Sequence, residues 1–128
     1  MQNFDLTKAV DILLCETSST QHLCKSLDNY SQICSQISGI KAAPCFDAWA
    51  KDSYLESGLA ISPEAAANCV SDYKRSIAFI RGAYHAIKES QKKFRHCKIK
   101  ILYAGCGPFA TQLLPLLVKF NPKDLQLT

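Results

Sequence analysis

The sequence predicts a mostly α N-terminal region, residues 1–95, followed by the start of an α/β parallel sheet, residues 96–128. Three observations carry this. Up to about residue 90, apolar residues recur at spacings of three and four, the period of a helix. Then Ile99 to Ala104, an apolar run of strand length, enters the turn Gly105-Cys106-Gly107. Beyond the turn an apolar segment, Leu113 to Phe120, leads to the alternating Leu125-Gln126-Leu127-Thr128. Strand, helix, strand implies a parallel pair with a right-handed crossover.

The elements follow in order. The first helix follows Asp5 and aligns Leu6, Ala9, Val10, Leu13 and Leu14 on one face. The second starts at the capping cluster Ser18-Ser19-Thr20 and carries the stripe Leu23, Leu27, Tyr30, Cys34 and Ile37. Gly39 stands where a C-terminal cap glycine belongs. Lys41 to Pro44 is a break, a short helix holds Phe46, Trp49 and Ala50, and Gly58 opens a loop. Ser62-Pro63-Glu64 is a helix start: serine caps, proline fits the first helical position, and glutamate complements the positive end. The repeat Ala66, Val70, Tyr73, Ile77, Ile80, Tyr84, Ile87 predicts one long helix over 63–93. Gly82 lies inside it at a cost of about 1 kcal/mol relative to alanine, which a close helix crossing, a nearby ligand or an untuned sequence would explain. Pro108 can begin the next helix, and Pro115 can kink or shorten it. Asn121-Pro122-Lys123-Asp124 is a turn.

Composition narrows the function classes. The chain has 128 residues, 48% hydrophobic and 20% charged, enough for a domain with a core. No apolar run reaches the roughly 18 residues of a membrane span. Met1-Gln2-Asn3-Phe4-Asp5 lacks the basic region of a signal peptide. The 7 cysteines are odd in number and form no Cys-x-x-Cys, so they suggest reduced thiols in a cytoplasmic setting and no zinc site. The net charge of +4 does not by itself call for nucleic acid. The run Lys88 to Lys100 holds six cations and one acid. It reads as a solvated helix end that complements the dipole, without the aromatic interleaving of a nucleic-acid stacking platform.

The chemistry concentrates at the turn. Glycines at 105 and 107 let a ligand approach the backbone, and a helix beginning just beyond would offer free N–H groups and partial positive charge. The dinucleotide fingerprint Gly-x-Gly-x-x-Gly would have its third glycine at Ala110, a substitution it tolerates. Cys106 sits inside the turn as a small residue or as a nucleophile. His22, His85 and His96 share no catalytic spacing with a cysteine or carboxylate.

Ile101 to Phe109 resembles motif I of class I S-adenosylmethionine-dependent methyltransferases: an apolar strand, an acidic residue, then Gly-x-Gly-x-Gly. Gly105 and Gly107 match the first two glycines. Tyr103 stands at the acidic position and Phe109 at the third glycine. Asp72-Tyr73-Lys74-Arg75-Ser76-Ile77-Ala78-Phe79 is similar to the Asp-x-x-Arg-Thr-x-x-Tyr helix that precedes motif I in protein arginine methyltransferases. There the arginine pairs with the carboxylate of the cofactor's methionine moiety, and Arg75 matches it. The resemblance implies a Rossmann-like core starting at residue 96. It implies S-adenosyl-L-methionine held by Arg75, Tyr103, Ala104, Gly105, Cys106 and Gly107. It assigns no catalytic base and no methyl acceptor, and residues 1 to 60 lie outside it. The acid that would bind the ribose belongs at the end of the second strand. The expectation is therefore an N-terminal portion of a larger enzyme, inactive alone. Two other readings stand: a non-enzymatic helical module that interacts or forms a homodimer through strand pairing, and an NAD-type nucleotide-binding fragment.

Overall fold

A computed structural model of the chain describes residues 5–42 and 53–128. In order come α1 (Leu6–Leu14), α2 (Thr20–Ser38), β1 (Ser53–Leu55), β2 (Gly58–Ala60) and α3 (Pro63–Ala67). A 3-10 turn (Asn68–Ser71), α4 (Tyr73–Lys93), β3 (Ile99–Ile101), a second 3-10 helix (Leu114–Lys119) and β4 (Leu125–Leu127) follow among the described residues. The described part is mostly helical, with a two-stranded parallel sheet near its C-terminal end.

The helix starts are set by side-chain caps. Asp5 accepts from the Lys8 N–H at 3.2 Å, Ser19 from His22 at 3.3 Å, Ser62 from Ala65 at 3.1 Å, and Asp72 from Arg75 at 3.2 Å. Each oxygen satisfies a donor that the first turn leaves without an intrahelical partner. Gly39, at φ 73°, ends α2 as expected. The end of α1 is satisfied from another element: Arg81 on α4 donates Nε to Leu13 O and Nη2 to Cys15 O, both at 2.8 Å. That bridge fixes α1 against α4.

Three expectations are corrected. The helix expected over 63–93 is broken at Asn68–Asp72, where the chain tightens to 3-10 geometry and Asp72, at ψ 75°, restarts it as a cap. Asn68, Ser71 and Asp72 favour caps and turns over helix interiors, so local chemistry overrides the apolar repeat. The repeat still marks the core: Val70, Ile80 and Ile87 are buried. Second, Gly58 does not open a loop within the mostly helical region. It begins β2, which pairs antiparallel with β1 in the register Ser53↔Ala60, Tyr54↔Leu59, Leu55↔Gly58. Third, no α-helix forms after the Gly-x-Gly turn. Residues 108–113 run through turns into the 3-10 helix. Pro115 has no N–H and its ring blocks an α-helical turn before it, but it is tolerated in the first turn of a short helix. The short helix expected around Phe46, Trp49 and Ala50 lies outside the described residues.

The parallel pair is present. Ile99, Lys100 and Ile101 of β3 face Leu125, Gln126 and Leu127 of β4. Beneath it one apolar cluster joins Val10 and Leu13 of α1, Leu23 and Leu27 of α2, Val70, Ile80 and Ile87, and Leu116, Phe120 and Leu125 from the last segment. Residues on both sides of position 95 therefore share a core. Lys119 adds a bond to Asp11 of α1. Gly82 has no packing reason: a methyl group there would meet nothing within 4 Å.

Candidate functional site

β3 delivers the chain into the turn, and both glycines adopt left-handed backbone, φ 66° at Gly105 and at Gly107. A side chain is strained there whatever the space around it. The space is open: a Cβ at either glycine would meet nothing within 4 Å. The glycines thus serve the shape of the turn and leave its outer face uncovered. Ala104, Gly105, Cys106 and Gly107 are all exposed. The Cys106 thiol donates to Gly107 O at 3.3 Å, closing the turn on itself.

The next residues anchor the turn to the helical layer. Phe109 is buried against Tyr30 of α2 and Ala67 of α3. The Tyr30 hydroxyl donates to Phe109 O at 2.6 Å, an interaction buried from solvent. Burial pushes the Tyr30 phenol well above its usual range, so it stays a neutral donor. Cys34, one turn along α2, is also raised by burial, with the Tyr30 hydrogen bond opposing. Ala110 follows at φ 44°, a conformation glycine would take more readily. The sequence signal for this anchor is Tyr30 in the α2 stripe, but its partner 79 residues away cannot be found from periodicity.

Tyr103 follows β3 at the start of the turn. Its hydroxyl donates to Gln112 Oε1 at 2.7 Å, which ties the two ends of the turn segment together. Burial raises its pKa; the backbone hydrogen bond from the Gln112 side opposes, Cys106 adds to the rise, and the Arg75 guanidinium opposes it. The Arg75 guanidinium also sits over the Phe79 ring, 5.7 Å from its centroid. Asp72 does not form the surface ion pair its spacing allows; it caps the backbone N–H of Arg75. Among the described residues no carboxylate pairs with the Arg75 guanidinium.

The structure thus places Tyr103 and Cys106 with the glycines on one turn, and Arg75 on the first turn of α4 against Phe79. Both departures from the methyltransferase motif have structural occupations: Tyr103 braces the turn through Gln112, and Phe109 anchors it to α2. The positive helix end expected behind the turn is absent, because the first regular turn after it starts at Leu114. His22, His85 and His96 are exposed or on separate elements and do not converge on it. Among the described residues no three His, Cys, Asp or Glu side chains form a candidate metal site, and no helix is long and apolar enough to cross a membrane. The six described cysteines are free. No family model, curated protein or solved structure matches the chain.

Proposed function

We propose that the turn Tyr103-Ala104-Gly105-Cys106-Gly107 and Arg75 bind S-adenosyl-L-methionine, as the cofactor-binding part of a Rossmann-like methyltransferase. The observation that supports this reading is the Gly-x-Gly turn after β3, with both glycines in left-handed backbone and open space where a Cβ would stand; Arg75, which no described carboxylate neutralises, is the motif-matching arginine on α4. Arg75 would take the carboxylate of the methionine moiety by two parallel hydrogen bonds. Gly105 and Gly107, without side chains on the open face, would let that moiety lie along the backbone. Phe109 and Gln112 hold the turn in place by their bonds to Tyr30 and Tyr103. When bound, the cofactor supplies an electrophilic methyl group on a sulfonium. The contribution of these residues is positioning for in-line transfer to an acceptor. Without a helix end behind the turn, Arg75 would carry the charge recognition of the cofactor's carboxylate.

Isothermal titration with S-adenosyl-L-methionine and S-adenosylhomocysteine tests the reading. Binding of both, weakened about tenfold or more by Arg75→Ala, is expected from the loss of a charge-assisted pair. Absence of heat with either ligand overturns it. Binding of NAD in their place would establish the nucleotide-binding alternative, and a stable homodimer without ligand binding the interaction module.

A further inference from the structure

The two halves of the candidate site, the turn and the start of α4, are both bonded to α2. Tyr30 projects from the buried face of that helix and donates to Phe109 O at 2.6 Å, just beyond Gly107 and Pro108. Asp28, exposed on the same turn of α2, accepts the Tyr73 hydroxyl at 2.7 Å, and Tyr73 precedes Arg75 in the first turn of α4. The helix is unbroken from Thr20 to Ser38, so Asp28 and Tyr30 keep a fixed separation. One rigid element thus holds the segment that carries the glycines and the segment that carries the arginine.

The link to the turn bears strain. Phe109 O belongs to the planar peptide that continues into Ala110, so a bond that fixes the carbonyl also fixes that plane and constrains φ at Ala110. Ala110 stands at φ 44°, the one non-glycine residue with left-handed backbone among those described. Leu114 N–H, donating to Ala110 O at 3.0 Å, holds its other side. A side chain stays in this region only where the surrounding structure over-determines it. Pro108, with its fixed φ, stiffens the path from Phe109 back to Gly107. The Tyr103–Gln112 bond closes the segment on itself, whereas the Tyr30 bond ties it to the helices. We infer that Tyr30 and Asp28 are positioning residues of the candidate site, and that α2 is the spacer that sets the Gly-x-Gly turn relative to Arg75. The inference rests on the reading that the turn and Arg75 hold one cofactor between them. An arginine that takes a carboxylate through two parallel bonds tolerates little displacement. Losing a link that touches no ligand atom therefore lowers affinity.

The test is a double-mutant cycle of Tyr30→Phe and Arg75→Ala, read by isothermal titration of the whole chain with S-adenosylhomocysteine. Tyr30→Phe should weaken binding about tenfold, and Tyr73→Phe, which breaks the exposed link, about threefold. In the Arg75→Ala background Tyr30→Phe should add less than about twofold, because the arginine it positions is gone. A structural role alone would let the two losses multiply. Multiplied losses, or wild-type affinity in both tyrosine variants, would overturn the inference. A ligand-free measurement separates it from the cofactor reading. Residual dipolar couplings of the Gly105, Gly107 and α4 amides should fit one orientation in the wild type and two in Tyr30→Phe. One shared orientation in both proteins would overturn the inference whether or not ligand binds. Absence of heat with the wild type would overturn the cofactor reading and leave the couplings to decide the role of α2.

Discussion

At the scale of single residues, two kinds of glycine are separated by backbone and not by space. Gly82 and Gly107 would each accept a methyl group without meeting an atom within 4 Å, but only Gly107 has a positive φ. Gly82→Ala, at an exposed position inside α4, should therefore stabilise the protein by about 1 kcal/mol. Gly107→Ala should destabilise it by about 1–2 kcal/mol through strain. Urea denaturation of the two variants checks both signs. Tyr30 is the other decisive residue. Tyr30→Phe leaves the buried Phe109 carbonyl without its donor and should cost about 1–3 kcal/mol. The same residue gives a pH signature. An unfolded tyrosine ionises near about pH 10, and burial raises the folded value. The raised folded value means the contribution is complete below about pH 10 and is lost as pH rises beyond it. Stability above that pH should therefore fall less steeply in Tyr30→Phe than in the wild type.

At the scale of elements, the caps were legible and the breaks were not. Asp5, Ser19, Gly39 and Ser62 act where the sequence points, because a cap is decided by residues within one turn of it. The apolar repeat across residues 66–87 identified the buried face but concealed the break at Asn68–Asp72. Periodicity registers which residues share a face, not whether the backbone between them stays helical. Asp72→Ala removes the cap that restarts α4 and should cost about 1 kcal/mol. Far-UV circular dichroism should show α4 fraying at that end. The segment after the turn misled in the opposite way. Leu113 to Phe120 is apolar enough for an α-helix, yet it forms the 3-10 helix Leu114–Lys119, with Pro115 in its first turn barring an α-helical turn before it. The Arg81 bridge to Leu13 and Cys15 has no sequence signature at all, since its partners are 68 and 66 residues away. The candidate site divides in the same way. Its glycines are a local pattern and its arginine a motif match, whereas Tyr30 and Gln112 become part of it only through the fold.

At the scale of the whole molecule, the last segment is integral to the helical layer. Leu116 is fully buried in the cluster that contains Val10, Leu27 and Ile80. Leu116→Ala should lower global stability by about 2–5 kcal/mol. Helical and β3 signals should still unfold in one transition. A melt in which the helices keep their midpoint would show that residues 96–128 fold separately. This shared core matters for the site, because it fixes α4, and with it Arg75, relative to the turn carried by β3. The most direct measurement of that arrangement is an amide-resolved NMR titration with S-adenosylhomocysteine. The account predicts saturable shifts confined to Tyr103, Ala104, Gly105, Cys106, Gly107 and the Arg75 side chain, lost in Arg75→Ala. Shifts that leave these groups unmoved, or no shifts at saturating ligand, would contradict it.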